Sequence, residues 1–225
     1  MPDPAPSPPL LCVLAVGPDA ARPEWAVVVK PSGLHAVPGR TPDKFDSIQA
    51  RARLAFAHAA GPITVHRLDR DTSGLMILGL TPAAHRHLSI QFQDRLVTKT
   101  YTALIERPPP AAESEINLPL IVDWPNRPRH HVDHDQGKPA RTSYRVLKTG
   151  TPCRIELTPI TGRTHQLRVH AAHPVRQGGM GAPILGDSLY GDPASAPRLM
   201  LHASRLTIAL PGEREPTTFE SPPTF

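Results

Sequence analysis

The sequence predicts an α+β fold around a largely antiparallel sheet. Three observations predict it. Short apolar, β-branched runs outnumber helical patterns, the two kinds do not alternate strictly, and strand signals dominate from Thr98 to Thr158. Leu10–Val16 and Ala26–Lys30 are separated by a Gly-Pro-Asp turn signal, the pattern of paired strands. Asp46 is placed to cap a helix whose Ile48, Ala52, Ala55, Phe56 and Ala59 share one face. Leu75–Leu80 is a buried-strand candidate. Thr81-Pro82 then supplies a cap and a proline at the first helical position, with Ala84, Leu88 and Phe92 following at helical spacing. Further strands are expected at Thr100–Ile105, Ile116–Val122, Thr142–Leu147, Cys153–Leu157 and Leu199–Ile208. Residues 1–9, five of them proline, read as a loose arm, and residues 10–225 as one domain without internal repeat or Gly/Ser linker.

Composition narrows the function classes. Of 225 residues 39% are hydrophobic, enough for a core despite 29 prolines. The longest apolar run, Leu10–Val16, is far shorter than the roughly 20 residues of a membrane helix. No basic residue precedes it, so a secretory leader is not expected. Cys12 and Cys153 sit among apolar neighbours and read as buried free thiols, too few for a disulfide framework or a four-cysteine zinc site. The expectation is a soluble protein of a reducing compartment, the cytoplasm. The formal charge of +5 permits a nucleic-acid partner. Its excess concentrates in Arg141–Arg176, which holds seven basic residues against Glu156 alone. Only ten residues are Phe, Trp or Tyr, which argues against a surface that stacks many bases.

The densest polar segment is His66-Arg-Leu-Asp-Arg-Asp-Thr-Ser-Gly74, set between apolar runs. Loops at strand ends are where reactive groups are usually presented. Asp69, with Arg67 and Arg70 near it, is a candidate nucleophile and equally a candidate ion pair. Asp71 reads as a turn residue with Thr72 and Ser73. In Lys99-Thr-Tyr-Thr-Ala103 strand alternation turns Lys99, Tyr101 and Ala103 the same way. Thr161-Gly-Arg-Thr-His-Gln-Leu-Arg-Val-His170 concentrates donors at Arg163, His165, Gln166 and Arg168, which suits an RNA backbone or a buried carboxylate. His130, His131, Asp133 and His134 have ligand-type side chains but no standard zinc spacing, so no metal site is expected.

In order along the chain, Lys30–Gly39, His66–Leu75, Lys99–Ala103, Thr161–His170 and Pro183–Tyr190 closely resemble the motifs of the RluA family of pseudouridine synthases. The resemblance runs from about Leu10 onward. Leu118–Pro128 and Gly137–Ala140 look like those of its compact members, which lack an N-terminal S4 RNA-binding domain. It implies the pseudouridine-synthase fold, with flanking helices and a central cleft, and isomerisation of uridine without cofactor or metal. Carried over by motif, Asp69 is the catalytic aspartate, Tyr101 packs against the uracil, Arg168 pairs with Asp69, and Arg67 enters the RNA to displace the target base. Arg163, His165, Gln166 and Arg176 are expected to contact RNA. The implied substrates are hairpin loops of 23S rRNA and the tRNA anticodon stem-loop, acted on by a monomer. The alternative is a non-catalytic RNA-binding or ribosome-assembly protein on the same scaffold. Two departures stand out: His35 replaces a more usual aliphatic residue, and Ala172–Ala182 reads as an inserted, mobile loop beside the active site.

Overall fold

The computed structural model describes residues 10–225, so the expected arm of residues 1–9 lies outside the described residues. The chain forms β1 (Val13–Gly17), β2 (Trp25–Lys30), α1 (Ile48–Ala55), β3 (Ser73–Gly79), α2 (Pro82–Gln93), β4 (Thr98–Ile105), β5 (Glu113–Asn117), β6 (Leu120–Val122), β7 (His130–Val132), β8 (Arg141–Lys148), β9 (Cys153–Pro159), α3 (Gln166–Ala172), β10 (Leu201–Ala209) and β11 (Pro216–Glu220). Nine strands make one sheet in the order β1-β2-β3-β10-β4-β9-β8-β5, with β11 added on β10. Every neighbouring pair is antiparallel except β3 and β10. This is the mixed, mainly antiparallel sheet that the sequence predicts.

Period-two alternation explains why β2 and β3 are buried on both faces. Ala26, Val28, Met76 and Leu78 pack with Ile48 and Ala52 of α1. Trp25, Val27, Leu75 and Ile77 pack with Leu88 of α2 on the other side. Beyond β10, α3 sends Leu167 and Ala171 into a separate core with Ala103, Ile155 and Leu157.

Several expectations are corrected. The cap of α1 is Ser47, whose hydroxyl accepts from the Ala50 amide, while Asp46 is taken by Arg51 in a bidentate pair at 2.8 and 2.7 Å. Phe56 ends that helix, so Ala59 lies beyond it. The run Ile116–Val122 divides at Pro119, which has no N–H for a ladder. β5 joins β8 in the main sheet, whereas β6 joins β7 in a separate hairpin. Cys12 is exposed and only Cys153 is buried. The segment 172–182 is pinned rather than loose: amides of Met180, Gly181 and Ala182 donate to carbonyls of His170, His173 and Ala171, and Met180 is buried.

Candidate active site

A cleft of about 1020 Å³ opens where the half of the sheet built by β1–β3 meets the half built by β4, β9, β8 and β5. One wall is the loop leading into β3. Gly74 makes that approach possible. Its φ is +116°, and a Cβ there would stand 2.4 Å from the backbone nitrogen and oxygen of Ala203 on β10. The loop is tied down by Lys30, whose side chain is fully buried. Its ammonium donates to the carbonyls of Pro31, Leu34 and Arg70 at 2.9, 2.7 and 2.7 Å, three acceptors for three N–H groups. Burial pushes the Lys30 pKa down to about 7, against the pull of Asp71 and Asp69. His66, at the start of the loop, stacks on Phe92 at 4.5 Å and accepts from the Ile77 amide. Burial, aided by Lys99, lowers its pKa to about 3, so the ring is a neutral prop.

The opposite wall is the N-terminal turn of α3. His165 is its N-cap and holds a left-handed backbone, φ 56°. That is an uncommon conformation for histidine, of the kind found at functional sites. Arg168 is nearly fully buried, and its Nε and Nη2 donate to the two oxygens of Asp187 at 2.8 and 2.7 Å. Its Nη1 stands 3.7 Å from Asp69 Oδ2. Burial works against the Arg168 charge, but Asp187 outweighs it and raises the pKa; reciprocally, Arg168 overcomes burial to hold Asp187 below the usual carboxylate range. The expected Arg168–Asp69 pair is therefore a longer, secondary contact, and the bidentate partner is Asp187.

His165 Nε2 lies 3.9 Å from the same Asp69 oxygen. Its Nδ1 shares a 2.8 Å hydrogen bond with the Tyr190 hydroxyl, which also accepts from the His130 amide at 2.7 Å. With the phenol proton on the Nδ1 bond, a neutral imidazole turns Nε2–H toward Asp69. Burial lowers the His165 pKa, which favours that neutral form. Tyr101 closes the floor of the cleft and packs against the cores of both halves. Burial and the Asp69 charge push its pKa above the usual tyrosine value, so the ring stays a neutral phenol.

Asp69, Tyr101, Arg168, Arg67, Arg163 and His165 thus line one cleft. Gln166 lines the same cleft, with its side-chain amide engaged within the protein. Its amide donates to the Arg141 carbonyl and the Thr142 hydroxyl and accepts from the Thr161 hydroxyl and the Arg163 amide. Arg176 is not brought to the cleft. It lines a second groove with Arg107 and Val175, near the C-terminal end of α3. The basic run Arg141–Arg176 is likewise no single face: Arg141 pairs with Glu115, Arg145 with Glu156, and Arg168 is buried on Asp187. The cleft draws Arg67, Arg70, Arg95 and Lys99 from other segments instead.

Among the described residues no group of three or more His, Cys, Asp or Glu is arranged to hold a metal. His130 packs edge-on against His165, and Asp133 accepts from the amides of Asp135 and Gln136. His35 lines the cleft. Sequence reasoning missed Asp187, Tyr190 and Lys30 as supports of the site. Each lay inside a quoted motif; for Lys30 the usable signal was a charged side chain ending the apolar run Ala26–Val29, and Asp187 and Tyr190, beside Gly186, Ser188 and Gly191, carried no such signal.

The family model described as RNA pseudouridylate synthase matches residues 24–173. The chain is 46% identical over 204 residues to a dual-specificity RNA pseudouridine synthase RluA of Escherichia coli K12, covering 88% of this chain and 89% of that one. It is 44% identical over 211 residues to the protein of the same description in Haemophilus ducreyi, with the same coverage. Its structure is similar to human RNA pseudouridylate synthase domain containing 1, with TM-score 0.74 and 28% identity over 96% of this chain and 84% of that one. No helix among the described residues is long and apolar enough to cross a membrane. Fold, cleft and relatives agree: the chain belongs to the RNA pseudouridine synthase family.

Proposed function

We propose that this RNA pseudouridine synthase acts, as a cytoplasmic monomer, on uridines in hairpin loops of 23S rRNA and the tRNA anticodon stem-loop, with residues 10–225 as its one catalytic domain. The dual-specificity description of its relatives supports two RNA classes. The observation that carries the reading is the convergence of Asp69, Arg168, His165 and Tyr101 in one cleft rich in cations. The reaction breaks the N1–C1′ bond, turns the uracil and joins C5 to C1′. A proton leaves C5 and N1 gains one, so the isomerisation balances without a co-reactant. None of this fits inside a base stack, so the nucleotide must be flipped out. Arg67, exposed at the mouth of the cleft, fills the space the base leaves, and Arg163 holds the backbone.

Tyr101 stacks on the extruded uracil, and Asp69 meets the reacting nucleoside. Attack at C1′, addition at C6 and removal of a ribose proton all require a carboxylate at that place. Arg168, clamped by Asp187, supplies fixed positive charge beside it, and His165 offers an N–H to the same oxygen. Asp69→Asn is expected to lower pseudouridine formation on a uridine-containing hairpin by about 10²–10⁴-fold or more. Activity that persists in Asp69→Asn would overturn the assignment. Tight RNA binding by the wild type with no pseudouridine on any cellular RNA would favour the ribosome-assembly alternative.

A further inference from the structure

The hairpin of β6 and β7 carries side chains that the reaction at Asp69 does not use. At its tip Trp124 is 66% exposed, and the guanidinium of Arg127 lies flat over its ring, 3.3 Å from the centroid. The tip is preorganised. The Asp123 amide donates to the Arg129 carbonyl at 2.9 Å, and the Arg129 amide to the Asn126 carbonyl at 3.0 Å. The Asp123 carboxylate accepts from the backbone and side-chain nitrogens of Asn126. That acid is spent inside the turn, which leaves Arg127 and Arg129 to set the charge of the tip.

The base of the same loop is anchored on the active site. Pro128 lines the cleft, Arg129 donates to the Leu189 carbonyl, and the His130 amide donates to Tyr190. The cleft it adjoins has six Lys or Arg residues in its lining against Asp69 and Asp71. A large ring left in water beneath a guanidinium, on a rigid arm continuous with such a cleft, has the chemistry that unpaired RNA recognises. Bases outside a helix stack on aromatic and guanidinium planes, whatever their sequence. We propose that Trp124 and Arg127 form a stacking platform for an unpaired RNA base next to the uridine drawn into the cleft. This rests on the RNA reading above and adds to it a second base contact, outside the chemistry. The scarcity of aromatic residues fits: one ring serves the reacting base and another its neighbour.

The test uses the full chain carrying Asp69→Asn, so that RNA is bound but not turned over, and a labelled uridine-containing hairpin followed by anisotropy at fixed salt. Adding Trp124→Ala is expected to weaken binding roughly ten- to hundredfold, the loss expected from one base–aromatic stack. Trp124→Phe recovers most of it, and Leu54→Ala, an exposed apolar side chain on α1, leaves affinity unchanged. A walk of single abasic sites through the loop then finds one position at which removing the base weakens the parent but not the Trp124→Ala protein. Unchanged affinity in Trp124→Ala overturns the platform. So does an equal loss against every abasic RNA, or a parent that binds no hairpin. If wild-type protein makes no pseudouridine while the coupling holds, the enzymatic reading falls and the platform stands. Pseudouridine formation without the coupling removes the platform alone.

Discussion

The two halves of the sheet prepare their walls of the cleft in different ways. On the β1–β3 side the loop bearing Asp69 and Asp71, with Arg70 between them and Arg67 beside them, is held from beneath by the buried amine of Lys30 through backbone carbonyls. On the β4–β9 side a cationic helix turn bearing Arg168 is held by a buried anion, Asp187, through its side chain. Each wall is therefore fixed by a buried polar side chain of its own half, and on the second side that contact also neutralises the charge. What faces across the cleft, Asp69 against Arg168 and His165 at 3.7 and 3.9 Å, is too long for a closed hydrogen-bonded pair. The carboxylate remains available to a substrate because its counter-charge is already engaged elsewhere.

Breaking the second half's support gives the largest expected effect. Asp187→Ala takes the bidentate partner from the buried Arg168 and should cost about 3 kcal/mol in urea unfolding. Activity should fall with it as Arg168 turns onto Asp69. A loss under about 1 kcal/mol would show that the guanidinium needs no such anchor. Breaking the seam comes next. Gly74→Ala puts a Cβ onto the Ala203 backbone at a left-handed φ and is expected to destabilise by about 3 kcal/mol. An unperturbed melting midpoint would show that β3 and β10 can separate without cost.

The smallest effect sharpens the comparison through pH. His170 of α3 is buried and neutral, sharing a hydrogen bond with the Thr142 hydroxyl and donating to the Leu118 carbonyl. Burial lowers its pKa from the ordinary 6.5 to about 4. The unfolded chain therefore takes the proton first as pH falls. Stability contributed above pH 6.5 is lost progressively down to about pH 4, by about 2–3 kcal/mol. His170→Gln should flatten that acid limb of the stability profile. An unchanged slope would assign it to other groups, His66 foremost.

Much of this was legible where short-range chemistry decides. Apolar runs located β2, β3, β4 and β9 because alternation and burial coincide there. The cap and proline at Thr81-Pro82 located α2. Asp69, Tyr101 and Arg168 stood in motifs whose order along the chain was informative. Illegible were the choices made by partners distant in sequence. Arg168 selects Asp187 over Asp69 because α3 and the turn at 187–190 are packed together, and Gln166 is consumed by a network spanning Arg141 to Arg163. The β6–β7 hairpin was hidden because Pro119 interrupts a run that hydropathy alone joins to β5. The charge of Arg141–Arg176 looked like a patch only because linear sequence does not show that Glu115, Glu156 and Asp187 neutralise Arg141, Arg145 and Arg168, or that Arg163 and Arg176 line different grooves.

The parallel contact between β3 and β10 also bears on how the enzyme is made. β10 lies between β3 and β4 in the sheet yet is the tenth strand along the chain. During synthesis the two halves can form their hairpins early, but the strand that joins them arrives only after Leu201. Closing that contact spans more than a hundred residues, so it is slow relative to the local pairings. Until then the Asp69 loop and the Arg168 turn have no fixed relation. A nascent chain therefore has no assembled cleft until its central strand is in place.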